Sequence, residues 1–169
     1  MSFFLGNKLL SDTINKLNLL LLYMSYKGIY RPSNPKKYKG DSQNIIYRSL
    51  WERKFMNYCD LNENILEWAS EEFWIPYLDP TTNRVRRYFP DFFIKYKDKD
   101  SNIRRSVIEV KPMRETLEPK ATKGKSRKTM INESMTYVKN QAKWKAAKEF
   151  CADRKLEFKI MTEKELGIR

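Results

Sequence analysis

The sequence predicts an α/β domain in which a helix, three strands, a second helix and a last strand follow one another, with a further amphipathic helix ahead of them. Three observations carry this. Apolar residues recur at helical spacing over residues 46–59 and 134–154. Between those stretches lie segments rich in β-branched and aromatic residues, and over residues 156–161 apolar and polar residues alternate, as strands do. At 169 residues the chain can bury a sizeable single core.

Taken in order, residues 9–24 set Leu10, Ile14, Leu17, Leu21 and Met24 alternately four and three apart, an amphipathic helix expected to pack on the domain. The same spacing would also fit a seam for another chain. Residues 28–40 hold Pro32 and Pro35 and are expected to form an irregular basic connector. The helix over 46–59 turns Tyr47, Leu50, Trp51, Phe55 and Tyr58 to one side. Glu52 lies on the margin of that face, in line with Arg48, where a carboxylate can turn inward to a site or pair with a neighbouring arginine. Residues 64–77 read as the first strand, ended by Pro76, with Glu71 and Glu72 on opposite sides of it, so that at most one reaches a site. Residues 112–132 are polar and basic, a mobile loop able to close over a bound strand. The helix over 134–154 groups Val138, Ala142, Ala146 and Phe150, with Trp144, Ala147 and Cys151 beside them, and leaves Lys139, Lys143, Lys145 and Lys148 to solvent.

Charge narrows the partners. Lys and Arg number 34 against 21 Asp and Glu, a net +13. Two acid-free stretches concentrate it: 26–40, with Lys27, Arg31, Lys36, Lys37 and Lys39, and 119–128, with Lys120, Lys123, Lys125, Arg127 and Lys128. Such loops suit a phosphate backbone. The absence of histidine removes Ser-His-Asp and Cys-His nucleophiles, histidine zinc sites and histidine bases. Hydrolysis would rest on carboxylates, lysine, tyrosine and a metal. Cys59 and Cys151 stand in no zinc spacing and read as reduced core thiols of a cytosolic protein. The run 19–24 is too short for a bilayer, and the first residues lack a signal peptide's basic leader.

The chemistry concentrates in residues 84–111. Residues 84–96 and 105–110 read as the two strands of a hairpin around the turn 97–102. Residues two apart share a face, so Glu109 and Lys111 point one way while Ile108 and Val110 point the other. Asp91 joins the acid and the lysine if the pairing sets its pleat to match. Two carboxylates and an ammonium on a rigid sheet suit a hard divalent cation and a lysine that holds an attacking water.

Pro90-Asp91 on one strand, Glu109-Val110-Lys111 on the next and an acid on the preceding helix resemble the PD-(D/E)xK nucleases. That resemblance, covering residues 46–161, implies a restriction-endonuclease-like core: a mixed central sheet flanked by helices. Tyr47-Arg48-Ser49-Leu50-Trp51-Glu52, Tyr88-Phe89-Pro90-Asp91-Phe92 and Ile108-Glu109-Val110-Lys111-Pro112 are more closely similar to head completion nucleases of T-even-like tailed phages. They are more loosely similar to the endonuclease subunit of heteromeric cut-and-paste transposases. The leucine-rich first 25 residues have no counterpart in that pattern. The implied organisation is an N-terminal helix and connector over 1–40 and a nuclease domain over 41–169.

Carried over by residue, the resemblance implies Asp91 and Glu109 as metal ligands, Lys111 as the group that orients water, Glu52 as a further acid at the metal and the Val110 carbonyl as an added oxygen ligand. It implies magnesium, with manganese able to substitute, and no small-molecule cofactor. The implied partners are double-stranded DNA and the phage's neck, portal or head proteins, with no membrane; the places of action are the host cytoplasm during assembly and the virion. Arg48, Arg84, Arg86 and Arg87 would grip phosphates beside the site, and Lys36, Lys37, Lys120, Lys123, Lys125, Arg127 and Lys128 would hold the duplex without reading bases. Two rival readings are a structural DNA-gripping neck component and a transposase-type or repair endonuclease.

Overall fold

The computed structural model describes residues 26–168, so the helix expected over 9–24 lies outside the described residues. Its centre is a four-stranded sheet of β3 (Ile65–Ser70), β6 (Phe92–Lys97), β7 (Ile103–Val110) and β8 (Glu157–Met161), side by side in that order. The first two pairings are antiparallel, and β7 with β8 is parallel, which makes the sheet mixed. Helix α1 (Leu50–Leu61) precedes the sheet in sequence, the short α2 (Met113–Thr116) follows β7, and the long α3 (Arg127–Asp153) crosses over to β8. Among the described residues there are also two small antiparallel pairs: β1 (Gly28–Tyr30) with β2 (Ile45–Tyr47), and β4 (Ile75–Asp79) with β5 (Arg84–Tyr88).

Strand alternation divides the core in two. Ile108 and Val110 of β7 join Phe92, Ile94 and Trp68 beneath Trp51, Phe55, Met56 and Cys59 of α1. Phe158 of β8, paired with Val107, belongs to a second cluster with Ala147 of α3 and Ile75, Tyr77 and Tyr88 of the β4–β5 hairpin. Both cysteines are buried and free. No described helix is long and apolar enough to cross a membrane.

Several boundaries differ from expectation, each for a local reason. Helix α1 starts at Leu50 instead of 46 because Ser49 caps it: the hydroxyl accepts from the Glu52 N–H at 3.1 Å, and the Glu52 carboxylate reaches back. This is a capping box, Ser-x-x-Glu, which is readable in the sequence. Tyr47 therefore falls on β2, and Tyr58 is half exposed. The expected strand over 64–77 is broken at Glu71, whose φ of 55° lies in the left-handed region and turns the chain out of the sheet. Pro76 does not end a strand but sits in β4, which has a single partner strand. The expected strand over 84–96 likewise divides into β5 and β6 at Phe89-Pro90-Asp91.

The connector over 28–40 is not irregular throughout. It contributes β1, a 3-10 turn (Pro35–Lys37) and two core residues, Tyr30 and Tyr38, so the packed unit begins before residue 40. Asp60 anchors it: its carboxylate, fully buried, accepts from the N–H groups of Ser33 and Asn34 at 2.7 and 2.9 Å and from the Tyr30 hydroxyl at 3.3 Å. Burial and that neighbouring carboxylate push the Tyr30 phenol up to about 12. Helix α3 begins at Arg127, inside the expected loop, with Ser126 as its cap. Its buried face is Asn140, Trp144, Ala147 and Cys151, while Val138 is 44 % exposed, so the helix is rotated from the expected phase.

Candidate active site

The β6–β7 register brings the expected site residues to one place. Phe92 pairs with Ile108, and both enter the core under α1. One step further along, Asp91 stands opposite Glu109 on the other face of the sheet, as the alternation of strands requires. Lys111 is on that face too, its ammonium 3.2 Å from Glu109 Oε1. Asp91 is fixed by a backbone donor: Val110 N–H gives its hydrogen bond to Asp91 Oδ2 at 2.7 Å. The carbonyl of Asp91 accepts from Glu71 N–H at 3.3 Å, tying the turn before β6 to the end of β3. The parallel neighbour secures Lys111, whose N–H donates to Met161 O at 3.0 Å.

Two groups that sequence reasoning did not place complete the surroundings. Tyr88, the last residue of β5, donates its hydroxyl to Glu109 Oε2 at 2.5 Å. Burial, and after it the Glu109 charge, holds that phenol far above its ordinary range, so it stays a donor. Lys143 of α3, expected on the solvated side, instead sets its ammonium 5.6 Å from the centre of the Tyr88 ring and 5.9 Å from that of Tyr77. Burial lowers its pKa, with the neighbouring Glu109 charge working against that. The missing signal was the phase of α3. Asn140 to Lys143 to Ala147 is one helical face, but the alanines nearby suggested another.

The electrostatics ask for a cation. Burial, and then repulsion from Glu109, push the Asp91 carboxyl well above its usual range, and Lys111 offsets this only in part. Perturbed acids held together in a buried position are a common mark of a functional site, and Lys111 already supplies positive charge beside them. Among the described residues no three of His, Cys, Asp and Glu gather closely enough to cage a metal. Two carboxylates with few protein ligands beside them are the kind of arrangement in which a hard cation keeps several waters.

Glu52 does not gather with them. Its Oε2 accepts from Arg48 N–H at 2.7 Å and its Oε1 from the Ser49 hydroxyl at 3.1 Å. Burial raises its pKa, though both hydrogen bonds oppose that, and it acts on Asp91 only as a nearby charge. Arg48 is committed to Glu71 by a two-pronged pair, Nε to Oε1 at 3.1 Å and Nη2 to Oε2 at 2.5 Å. Glu72 accepts from the Tyr38 hydroxyl at 2.7 Å and is structural.

The expected DNA-gripping residues divide similarly. Arg84, Arg86 and Arg87 line the exposed β5, but Arg86 pairs with Asp79 at 3.1 Å and Arg87 lies over the Trp74 ring. Lys37 is turned inward, its ammonium 2.9 and 2.7 Å from the carbonyls of Asp60 and Asn62 at the end of α1. Lys125 pairs with Glu133. Lys36, Lys120, Lys123, Arg127 and Lys128 are exposed.

A mixed sheet flanked by helices, with Asp91 ending one turn and Glu109-Val110-Lys111 ending the next strand, is the architecture of restriction-endonuclease-like nucleases. Comparison with known proteins agrees. The family model described as the N-terminal region of TnsA-like endonucleases matches residues 62–163, more than half the chain, and the chain belongs to that endonuclease family. It is also 38% identical over 143 residues to the head completion nuclease of Enterobacteria phage T4, a match spanning 83% of this chain and 93% of that protein. The expected fold and nuclease class are thereby established. Helix α1, with Glu52, lies outside the residues matched by the family model.

Proposed function

We propose that the protein is a divalent-cation-dependent deoxyribonuclease that acts on packaged phage DNA during head completion and head–tail joining. The observation that carries this reading is the meeting of Asp91, Glu109 and Lys111 on one face at the ends of adjacent chain segments. The name of the phage T4 relative supports the setting. On this reading the substrate is double-stranded DNA, the partners are neck, portal or head proteins, and the protein works in the host cytoplasm during assembly and stays with the virion.

Asp91, Glu109 and the Val110 carbonyl would hold a magnesium or manganese ion. When bound, the ion would polarise a phosphoryl oxygen and acidify a water. The remaining work belongs to the chain. Lys111 orients the attacking water and offsets the charge that grows on the phosphate. Tyr88 and Val110 N–H each fix one oxygen of a carboxylate, leaving the other oxygens in a set direction. The exposed lysines of residues 119–128 neutralise backbone phosphates without reading sequence.

Cleavage of plasmid DNA with magnesium tests this. Wild type is expected to cut, while Asp91→Asn and Lys111→Ala bind DNA and leave it intact. Variants that cut as fast as wild type would overturn the assignment. A second reading, a structural DNA plug in the neck, draws on the same basic loops; it predicts that cleavage-dead protein still supports particle assembly.

A further inference from the structure

A groove lies between the β1–β2 hairpin and α1. It has a volume of about 630 Å³, and its lining includes Arg31, Arg53 and Lys54 with Tyr30 and Tyr47, and no acid. The three cations lean on uncharged groups. Arg31 reaches the Gln43 side-chain oxygen at 3.2 Å, Lys54 the Gly167 carbonyl at 3.1 Å, and Arg53 lies 5.8 Å from the centre of the Tyr47 ring. Tyr47 is folded across Gly28, where an added Cβ would stand 2.4 Å from the Tyr47 hydroxyl oxygen. A glycine at that place lets the ring lie flat along the hairpin and form a wall.

From this we infer that the groove is a binding site for one single strand of nucleic acid, separate from the cleavage site. Size and charge select that ligand. A cleft of this volume matches a small, chain-like ligand such as one strand of a few nucleotides. Arg53 and Lys54 beside the half-buried Tyr47 ring match a strand's alternation of phosphates and base faces. Direction follows from the helix. Groove residues Leu50 and Asn57 lie at the first residue and past the middle of α1, about 10 Å apart along its axis. Its N-terminal end carries Glu52, whose charge is felt at Asp91. A strand freed at the cleavage site thus has a basic track leading away from it.

The inference rests on the nuclease reading, and its test separates the two. Full-length Asp91→Asn protein, which binds without cutting, is titrated with a labelled blunt duplex and with the same duplex carrying a single-stranded overhang, and anisotropy is recorded over a range of salt. The overhang is expected to tighten binding about tenfold, as one or two stacked bases would. Adding Arg53→Ala and Lys54→Ala should abolish that gain and lower the salt slope for the overhang duplex by about 1.4, from two phosphate contacts at about 0.7 each. Both side chains are exposed, and unchanged thermal melting of this variant establishes that the fold is intact. No gain from the overhang, or a gain that survives the two substitutions, overturns the groove site. Cleavage of blunt duplex by the Arg53→Ala, Lys54→Ala protein with Asp91 intact should match wild type. Failure of wild type itself to cut would instead strike the nuclease reading.

Discussion

At the scale of single residues, the site is governed by how each carboxylate oxygen is held. Tyr88→Phe removes one hydroxyl and leaves Glu109 Oε2 without its 2.5 Å donor. Loss of such an orienting partner costs about 10–100-fold in activity. The loss should appear in kcat with little change in KM for DNA, and single-turnover cleavage at saturating DNA checks it. Asp91 makes a second prediction, about stability. Its carboxyl is raised by burial first and by Glu109 second. The folded state therefore keeps that proton to higher pH than the unfolded chain, and stability falls as pH rises from the ordinary aspartate range through the raised value. In metal-free buffer at neutral pH, Asp91→Asn should melt about 2–4 °C above wild type, and the difference should shrink on acidification. A lower Tm for the variant at both pH values would contradict this. Glu109 and Lys111 were legible in the sequence because strand parity groups them, and Asp91 because the Pro-Asp motif resembles that of the nuclease family, with the β6–β7 register then setting it opposite Glu109. Tyr88 was not, because its role depends on a chain break between β5 and β6 that a continuous run of aromatic and β-branched residues concealed.

At the scale of elements, the connector ahead of β2 shows how a basic side chain can serve packing instead of DNA. The Lys37 ammonium meets carbonyls that the end of α1 leaves without helical partners, where a cation also complements the helix dipole. Lys37→Met should cost about 1 kcal/mol of stability by urea denaturation, the net range for lost hydrogen bonds, since the Asp60 and Asn62 carbonyls keep donors in the Asn34 amide and Ile65 N–H. Its salt dependence of DNA binding should match wild type; a flatter slope would return Lys37 to the DNA-gripping set. Composition could not distinguish Lys36 from Lys37, because a 3-10 turn started by Pro35 decides which of them points inward. The α1 boundary was more accessible, since Ser49 and Glu52 stand in capping-box spacing. Reading Glu52 chiefly as a site acid hid its local task.

At the scale of the whole molecule, charge is distributed by function. The exposed lysines of residues 119–128 are separated from the sheet by α2 and lead into α3. Replacing Lys120, Lys123 and Lys128 together by alanine should flatten the salt dependence of duplex binding by about 2.7, at about 0.9 for each phosphate contact, and leave the melting temperature unchanged. An unaltered slope would exclude this loop from the DNA interface. The succession of helices and strands around the central sheet was readable because β6 and β7 concentrate aromatic and β-branched residues and β8 alternates apolar with polar ones. The β4–β5 hairpin was not, because its separation from β3 hinges on one backbone conformation, at Glu71, that residue type does not announce.

The parallel pairing of β7 with β8 has a consequence for synthesis. The segment bearing Glu109 and Lys111 leaves the ribosome well before residues 157–161, and until these arrive its outer edge is open and the Lys111 amide lacks the Met161 acceptor. A nascent chain thus carries Asp91 and Glu109 before the strand that holds the Lys111 backbone has been made, and that lysine is fixed in place only when residues 157–161 pair along the sheet.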